Sequence, residues 1–203
     1  MVHEELQKKA ASYLSKKDPV LANVIKKVPL FTRQFGGNYF LDLAESIVSQ
    51  QLSIKAADTI WKRFTGLFPH NEVKPLGVIN IEGQKMRDAG MSWQKISYIK
   101  DLAEKVLASG ILFEQFDIMT DEEIIEELVK VKGIGRWTAE MFLMFSMGRP
   151  DVFSYGDLGI RKAIQKLYKF DHEPTKEEAE RIAEKWRPFR TIACRYLWKS
   201  LEV

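Results

Sequence analysis

Two short stretches of the chain hold residues whose types and spacing could do chemistry. The first is Leu128-Val-Lys-Val-Lys-Gly-Ile-Gly-Arg-Trp-Thr-Ala139. Gly133 and Gly135 sit one residue apart between two helical segments. Glycines there let the backbone turn tightly with positive φ and leave amides uncovered by side chains. Those amides, with the positive end of the following helix, suit a phosphate oxygen. Lys130, Lys132 and Arg136 surround the turn with positive charge. Phosphate anchoring by Lys132, Gly133, Ile134, Gly135, Arg136 and Thr138 is therefore one reading. An ordinary turn between helices with solvated basic residues is the other, and the turn alone does not choose between them. A dinucleotide fingerprint is excluded, because no strand precedes the glycines and the third glycine is missing. The second stretch is Asp151-Val-Phe-Ser-Tyr-Gly-Asp-Leu-Gly-Ile160. Asp157, ahead of Leu-Gly-Ile-Arg-Lys-Ala, has the form of a helix N-cap, and taken alone it need be nothing more. Asp151, after Pro150, reads as a turn or cap residue.

Other chemistries find little support. His3, His70 and His172 are too scattered for a metal site, and no Ser-His-Asp or Walker pattern occurs. The single cysteine, Cys194, excludes an intrachain disulfide framework and any four-cysteine zinc or iron–sulfur site. It points to a reducing, intracellular setting such as the cytoplasm. The formal net charge of +3 is compatible with a polyanionic partner without demonstrating one. No apolar run reaches the length of a membrane span, and the start MVHEELQKKA is charged rather than signal-like, so no membrane partner is expected.

The elements that must position these residues are helical almost throughout, and the fold class read from the pattern is all-α. Residues 4–15 and 18–27 carry short amphipathic segments, with Asp18-Pro19 a good helix start. Gly36-Gly37 marks a break. Leu41, Ala44, Ile47 and Val48 fall at helical spacing, Ser49-Gln50-Gln51 interrupts, and Ser53 caps the next helix. A loop over 68–81 leads to a short helix, after which Gly90-Met91-Ser92 stops one helix and caps another over 93–107. Thr120-Asp-Glu-Glu123 has the form of a capping box for a helix over 122–131. The helix over 137–147 is apolar on nearly every face and belongs at the centre of the structure. Residues 148–156 form a loop, Asp157 starts a helix, and a helical pair ends the chain. Trp61 and Trp186 are assigned to the core. At 203 residues the chain fits one large domain or two small lobes packed intimately.

Val131-Lys-Gly-Ile-Gly-Arg-Trp-Thr-Ala139 followed by the Asp157 stretch resembles the signature of helix-hairpin-helix base-excision DNA glycosylases. Within that superfamily the chain is most similar to the 3-methyladenine DNA glycosylase II branch. The resemblance takes in Ser49-Gln-Gln-Leu-Ser53, Trp93-Gln-Lys-Ile-Ser-Tyr98 and Trp186-Arg-Pro-Phe189, and so spans roughly 37–200. It implies a single glycosylase unit over 1–203: N-terminal helices over 1–36, then a two-lobed helical core with a cleft between the lobes and its hairpin at 131–136. It also implies an enzyme that flips alkylated purines such as 3-methyladenine and 7-methylguanine out of double-stranded DNA and hydrolyses their N-glycosidic bond in base excision repair.

Asp157 corresponds to the family's catalytic aspartate. A carboxylate there suits the positive charge that builds on the sugar as the bond breaks. Strand-cutting relatives carry a lysine nucleophile where this chain has Trp137. An indole has no such chemistry and Arg136 stays protonated, so no lyase activity is expected. Trp137 and Trp198 match aromatic positions of the family's base pocket, where an indole face favours cationic alkylated bases. Phe40, Trp93 and Tyr155 are further lining candidates, each at least as readily core packing. Met141 stands where some relatives have a tyrosine, a departure that alters the pocket. Gln50 and Gln51 fall where the family inserts a wedge into the DNA stack, Gln51 matching the plugging residue. The family hairpin sometimes holds a monovalent cation on its carbonyls; no organic cofactor and no other metal are implied, and a monomer is expected. Two alternatives remain: a non-catalytic helix-hairpin-helix DNA-binding module, and a glycosylase for other damaged bases.

Overall fold

A computed structural model of the chain describes residues 2–29 and 37–202, the side chains of residues 2 and 3 apart. The break predicted at Gly36-Gly37 lies partly outside the described residues. Among the described residues every regular element is helical, as the periodicity predicts, and no helix is long and apolar enough to cross a membrane. The chain divides into two compact units, residues 36–142 and residues 1–35 with 143–203.

In the unit 36–142 the helices are α3 (Tyr39–Ser49), α4 (Ile54–Thr65), α5 (Pro75–Asn80), α6 (Gly83–Asp88), α7 (Trp93–Leu107) and α8 (Asp121–Leu128). The first turns of α9 (Arg136–Phe145) complete it. Helix α7 is its spine: α3, α5 and α6 all pack on it, and Ile96, Ile99, Leu102 and Ala103 form its buried stripe. Local signals set the helix starts as read. Ser53, Ser92 and Thr120 each accept a hydrogen bond from a backbone N–H three residues on, and Thr120 with Glu123 closes the capping box.

Three expectations for this unit need correction. The loop predicted over 68–81 contains α5, whose Pro75 sits in the first turn, where a missing N–H costs nothing. Six residues are too few for a periodic signal. Helix α8 ends at Leu128 rather than Val131, because the chain is already turning: Val131 N–H donates to Leu128 O and Ile134 N–H to Val131 O, each at 3.1 Å. Trp61 is only half-buried, its ring inclined on Phe64, whereas Trp186 in the other unit is fully buried as expected.

The second unit holds α1 (Val2–Lys17), α2 (Pro19–Lys27), the end of α9, α10 (Leu158–Tyr168), α11 (Lys176–Ala183) and α12 (Arg190–Ser200). Helix α12 is almost wholly buried from Thr191 to Leu197 and packs against α1, α2 and α10. Asp18, 2% exposed, ties three of these segments together. It caps α2 through Val20 N–H and Leu21 N–H, and it accepts from Tyr168 Oη and from Trp186 Nε1 at 2.9 Å. Asp151 proves to be more than a local cap. Its carboxylate accepts from Arg187 Nη1 and Arg190 Nε, both at 2.8 Å, and from Arg190 N–H, fastening the loop before α10 to the start of α12. Helix α9 ends at Phe145, with Gly148 at φ +70° just beyond, and its apolar composition is not matched by burial on every face: Ala139, Phe142, Leu143 and Met144 are buried, whereas Trp137 is 47% exposed.

Candidate active site

The hairpin between α8 and α9 shows why its two glycines differ. Gly133 has φ +80°, and the ring of Tyr98 lies so close that a Cβ would fall 2.0 Å from Tyr98 Cδ2. Gly135 is not in the left-handed region, which corrects the expectation of positive φ at both, and a Cβ there would meet nothing within 4 Å. Among the described residues nothing requires a glycine at 135. A bare backbone at that point is useful to a group arriving from outside.

Two proposed phosphate ligands turn inward. Ile134 is buried and its N–H is spent on Val131 O, while Thr138 is 6% exposed on the core face of α9 with Ala139 and Phe142. The basic side chains are already matched by carboxylates. Arg136 forks onto Glu122 at 2.6 and 2.7 Å and reaches Glu140 at 3.1 Å. The hydrogen bonds that Arg136 donates to Glu122, against the pull of burial, hold the guanidinium even further above its ordinary pKa, and Arg136 in turn holds Glu122 down. Lys130 pairs with Glu127, and Lys132 lies 3.6 Å from Asp101. Asp101 also accepts from Lys132 N–H at 2.9 Å and Lys105 Nζ at 2.8 Å. Burial pushes the Asp101 carboxyl up, but these donors outweigh it and leave the pKa below the ordinary value. For a monovalent cation the hairpin offers carbonyls; Val131 O and Gly133 O each already accept one hydrogen bond, which leaves each a second lone pair.

The two glutamines of the predicted wedge part company. Gln51 is exposed with φ +58°, at the tip between α3 and α4. Gln50 is half-buried and donates through Nε2 to Gly133 O at 2.8 Å. In the first turns of α9, Trp137 is 47% exposed, and Met141, one turn on, is half-buried. Trp93, at the start of α7, is exposed with its ring against Gly83.

In the other unit Asp157 is the N-cap of α10, so the cap reading holds. Its Oδ1 accepts from Ile160 N–H at 2.8 Å and from Trp198 Nε1 at 2.8 Å. Trp198, reaching across from α12, inclines its ring on Phe145 with centroids 5.7 Å apart. Gly159 makes room for this: a Cβ there would stand 3.0 Å from both Asp157 Oδ1 and Trp198 Cδ1. The loop before Asp157 is clamped by Arg161, whose Nη1 donates to Tyr155 O at 3.0 Å and Gly156 O at 2.9 Å and whose Nε pairs with Glu173. Tyr155 is part of that clamp. Its ring lies under the Arg161 guanidinium and its hydroxyl donates to Pro174 O at 3.1 Å. The result is an anion held at the positive end of a helix by two N–H groups, a fixed negative charge suited to a developing cation.

Sequence reasoning missed Arg161, Gly159, Asp101, Lys95 and the indole N–H of Trp198. Only Arg161 left a local trace, lying four residues after Asp157 and so one turn above it.

A glycine hairpin between two helices, with a carboxylate at a helix N-terminus further along the chain, defines a helix-hairpin-helix protein with a candidate carboxylate site. The chain belongs to the HhH-GPD superfamily of base excision DNA repair proteins, whose family model matches residues 44–188. DNA-3-methyladenine glycosylase 1 of Schizosaccharomyces pombe is 38% identical over 162 residues, covering 78% of this chain and 71% of that one. A Bacillus subtilis relative is 31% identical across 79% of this chain, and the match spans 58% of its length. Among solved structures, that of Schizosaccharomyces pombe 3-methyladenine DNA glycosylase in complex with abasic DNA superposes with a TM-score of 0.85 at 34% identity. That match covers 96% of this chain and 97% of the other.

Proposed function

We propose that this protein is a DNA glycosylase that hydrolyses the N-glycosidic bond of alkylated purines, 3-methyladenine and 7-methylguanine among them, in double-stranded DNA. It does so as a monomer and without cutting the strand. The observation that carries the reading is the Asp157 carboxylate, fixed at the α10 N-terminus by Ile160 N–H and Trp198 Nε1–H in a chain of this family. The names of the relatives supply the substrate class.

The chemistry asks little beyond what these residues offer. Extruding a base costs roughly a few kcal/mol, least where pairing is already weak. A purine alkylated at a ring nitrogen is cationic, so the half-exposed indole of Trp137 attracts it more than a normal base. When the C1′–N bond breaks, the electron pair leaves with the purine, which departs neutral. The sugar is left with the positive charge that Asp157 stabilises. Water then bonds to C1′ and gives up a proton, and the product is an abasic site. No amine stands at 137 to attack C1′ instead, which is the reason for proposing hydrolysis without strand cleavage.

The test is a duplex carrying 3-methyladenine and 7-methylguanine. Free methylated bases should be released, strand breaks should appear only after alkali, and borohydride should trap no covalent complex. Tight binding to the duplex with no base released under any condition would favour the non-catalytic binding module. Breaks without alkali would contradict the assignment of Trp137.

A further inference from the structure

The Gln51 tip and the hairpin are joined by side-chain hydrogen bonds from Gln50 and Lys95. Lys95 of α7 donates through Nζ to Val48 O and to Gln50 O, 2.7 Å each, gathering the end of α3. Gln50 reaches from the same loop to Gly133 O at 2.8 Å. Leu52 N–H closes the tip onto Ser49 O, and Gln51, Leu52 and Ile54 project into solvent. Further along α7, Tyr98 covers Gly133 and Asp101 accepts from Lys132 N–H. Residues 95, 98 and 101 recur every three positions and so share one face of the helix. That face holds the tip with its first residue and the hairpin with the next two. Burial of the Lys95 ammonium pushes its pKa down, a cost consistent with a cation spent on two carbonyls rather than displayed to solvent.

We propose that Gln50 and Lys95 are positioning residues that lock the Gln51 tip to the hairpin, so that gripping the DNA backbone at the hairpin aims Gln51 into the base stack. Gln50 is then a brace and not a wedge. This rests on the function proposed above, in which the hairpin contacts phosphate and Gln51 fills the space left by the flipped base. A rigid tip delivers the wedge at the register set by the hairpin; a loose tip must be ordered at each encounter, and errors of about 1 Å can cost up to about a hundredfold in rate.

The test compares the wild type with Gln50→Met, Lys95→Met, Lys95→Arg and Gln51→Ala. Each is read for thermal midpoint, single-turnover base release, and fluorescence of 2-aminopurine placed beside the lesion as a report of unstacking. Gln50→Met and Lys95→Met should lose about tenfold or more of the release rate on a paired lesion, with the same loss of unstacking signal as Gln51→Ala. The penalty should shrink when the lesion is mispaired and already loosely stacked. Lys95→Arg, which keeps donors for the two carbonyls, should recover most of the rate. Gln50→Met combined with Gln51→Ala should cost scarcely more than Gln51→Ala alone, because both act on one insertion step. A merely structural role would lower the thermal midpoint and slow paired and mispaired lesions alike, and that result overturns the proposal. If Lys95→Met does not fold, Gln50→Met and the double variant decide the question. If Gln51→Ala shows the unstacking defect and Gln50→Met does not, the brace is wrong while the glycosylase reading stands. If the wild type releases no base, the glycosylase reading itself has failed.

Discussion

One oxygen of Asp157 carries both the cap of α10 and the hydrogen bond from Trp198. The sequence marks Asp157 as a cap because capping is local, and the family resemblance adds the chemistry. The indole N–H on that oxygen comes from 41 positions further along the chain and has no local signature. Trp198, expected as a pocket wall, is seen instead to hold the carboxylate through its indole N–H. Trp198→Phe keeps a ring against Phe145 and removes the N–H donor. A hydrogen bond to a charged group contributes roughly 1.5–3 kcal/mol, so single-turnover release should slow by about tenfold to a hundredfold. An unchanged rate would show that the helix cap alone positions Asp157. Tyr155 illustrates the opposite case: an aromatic residue in the right stretch whose hydroxyl and ring face are engaged by Pro174 and Arg161.

The hairpin is where element-level reasoning succeeded in place and erred in detail. Its position between helices and the caps at Ser53, Ser92 and Thr120 were legible, since each depends on residues a few positions apart. The carboxylates that match Lys132 and the fork of Arg136 were not, because Asp101 comes from α7 and Glu122 stands 14 positions before Arg136, at the far end of α8. Nor could the pattern tell Gly133 from Gly135. Gly133→Ala must strain a left-handed residue and displace Tyr98, so it should lower stability by about 1–3 kcal/mol or more in a denaturant melt. Gly135→Ala should leave the melt unchanged and weaken affinity for duplex DNA several-fold; equal affinity would remove the case for close phosphate approach at that point. Asp101→Asn tests the anchor below the hairpin. The carboxyl of Asp101 is held below its ordinary value in the folded protein, so its contribution is present above the unfolded pKa, about 3.9, and is lost as pH falls through the folded one. Wild type should therefore exceed Asp101→Asn in stability near neutral pH, with the gap closing below about pH 4 in urea melts. A gap independent of pH would mean that packing, not charge, anchors the hairpin.

Across the whole molecule, helical content and the family were legible in the sequence, because apolar periodicity and ordered motifs run through most of its length. The polar ties that hold distant segments together were not. Asp18 reads as a simple helix start, yet it is buried and receives Tyr168 and Trp186 from far along the chain. Asp18→Ala would orphan the buried Trp186 indole N–H and the half-buried Tyr168 hydroxyl as well as a cap, and should cost about 3 kcal/mol or more in stability, seen as a lower thermal midpoint. Release by the folded fraction should change little, and a stability-neutral result would mean that water replaces the carboxylate. The central claim concerns charge at Asp157, and Asp157→Asn isolates it. Asparagine is an equally good cap, and its carbonyl oxygen can accept from Ile160 N–H and Trp198 Nε1–H, so geometry is kept while the negative charge is lost. The decisive measurement is single-turnover release of 3-methyladenine from duplex DNA by both proteins, alongside their affinity for a duplex containing an abasic site. The account predicts a loss of about a hundredfold to a thousandfold in release, with affinity and thermal midpoint nearly unchanged. Release by Asp157→Asn within a few-fold of wild type would contradict it, and would return Asp157 to the role of a helix cap.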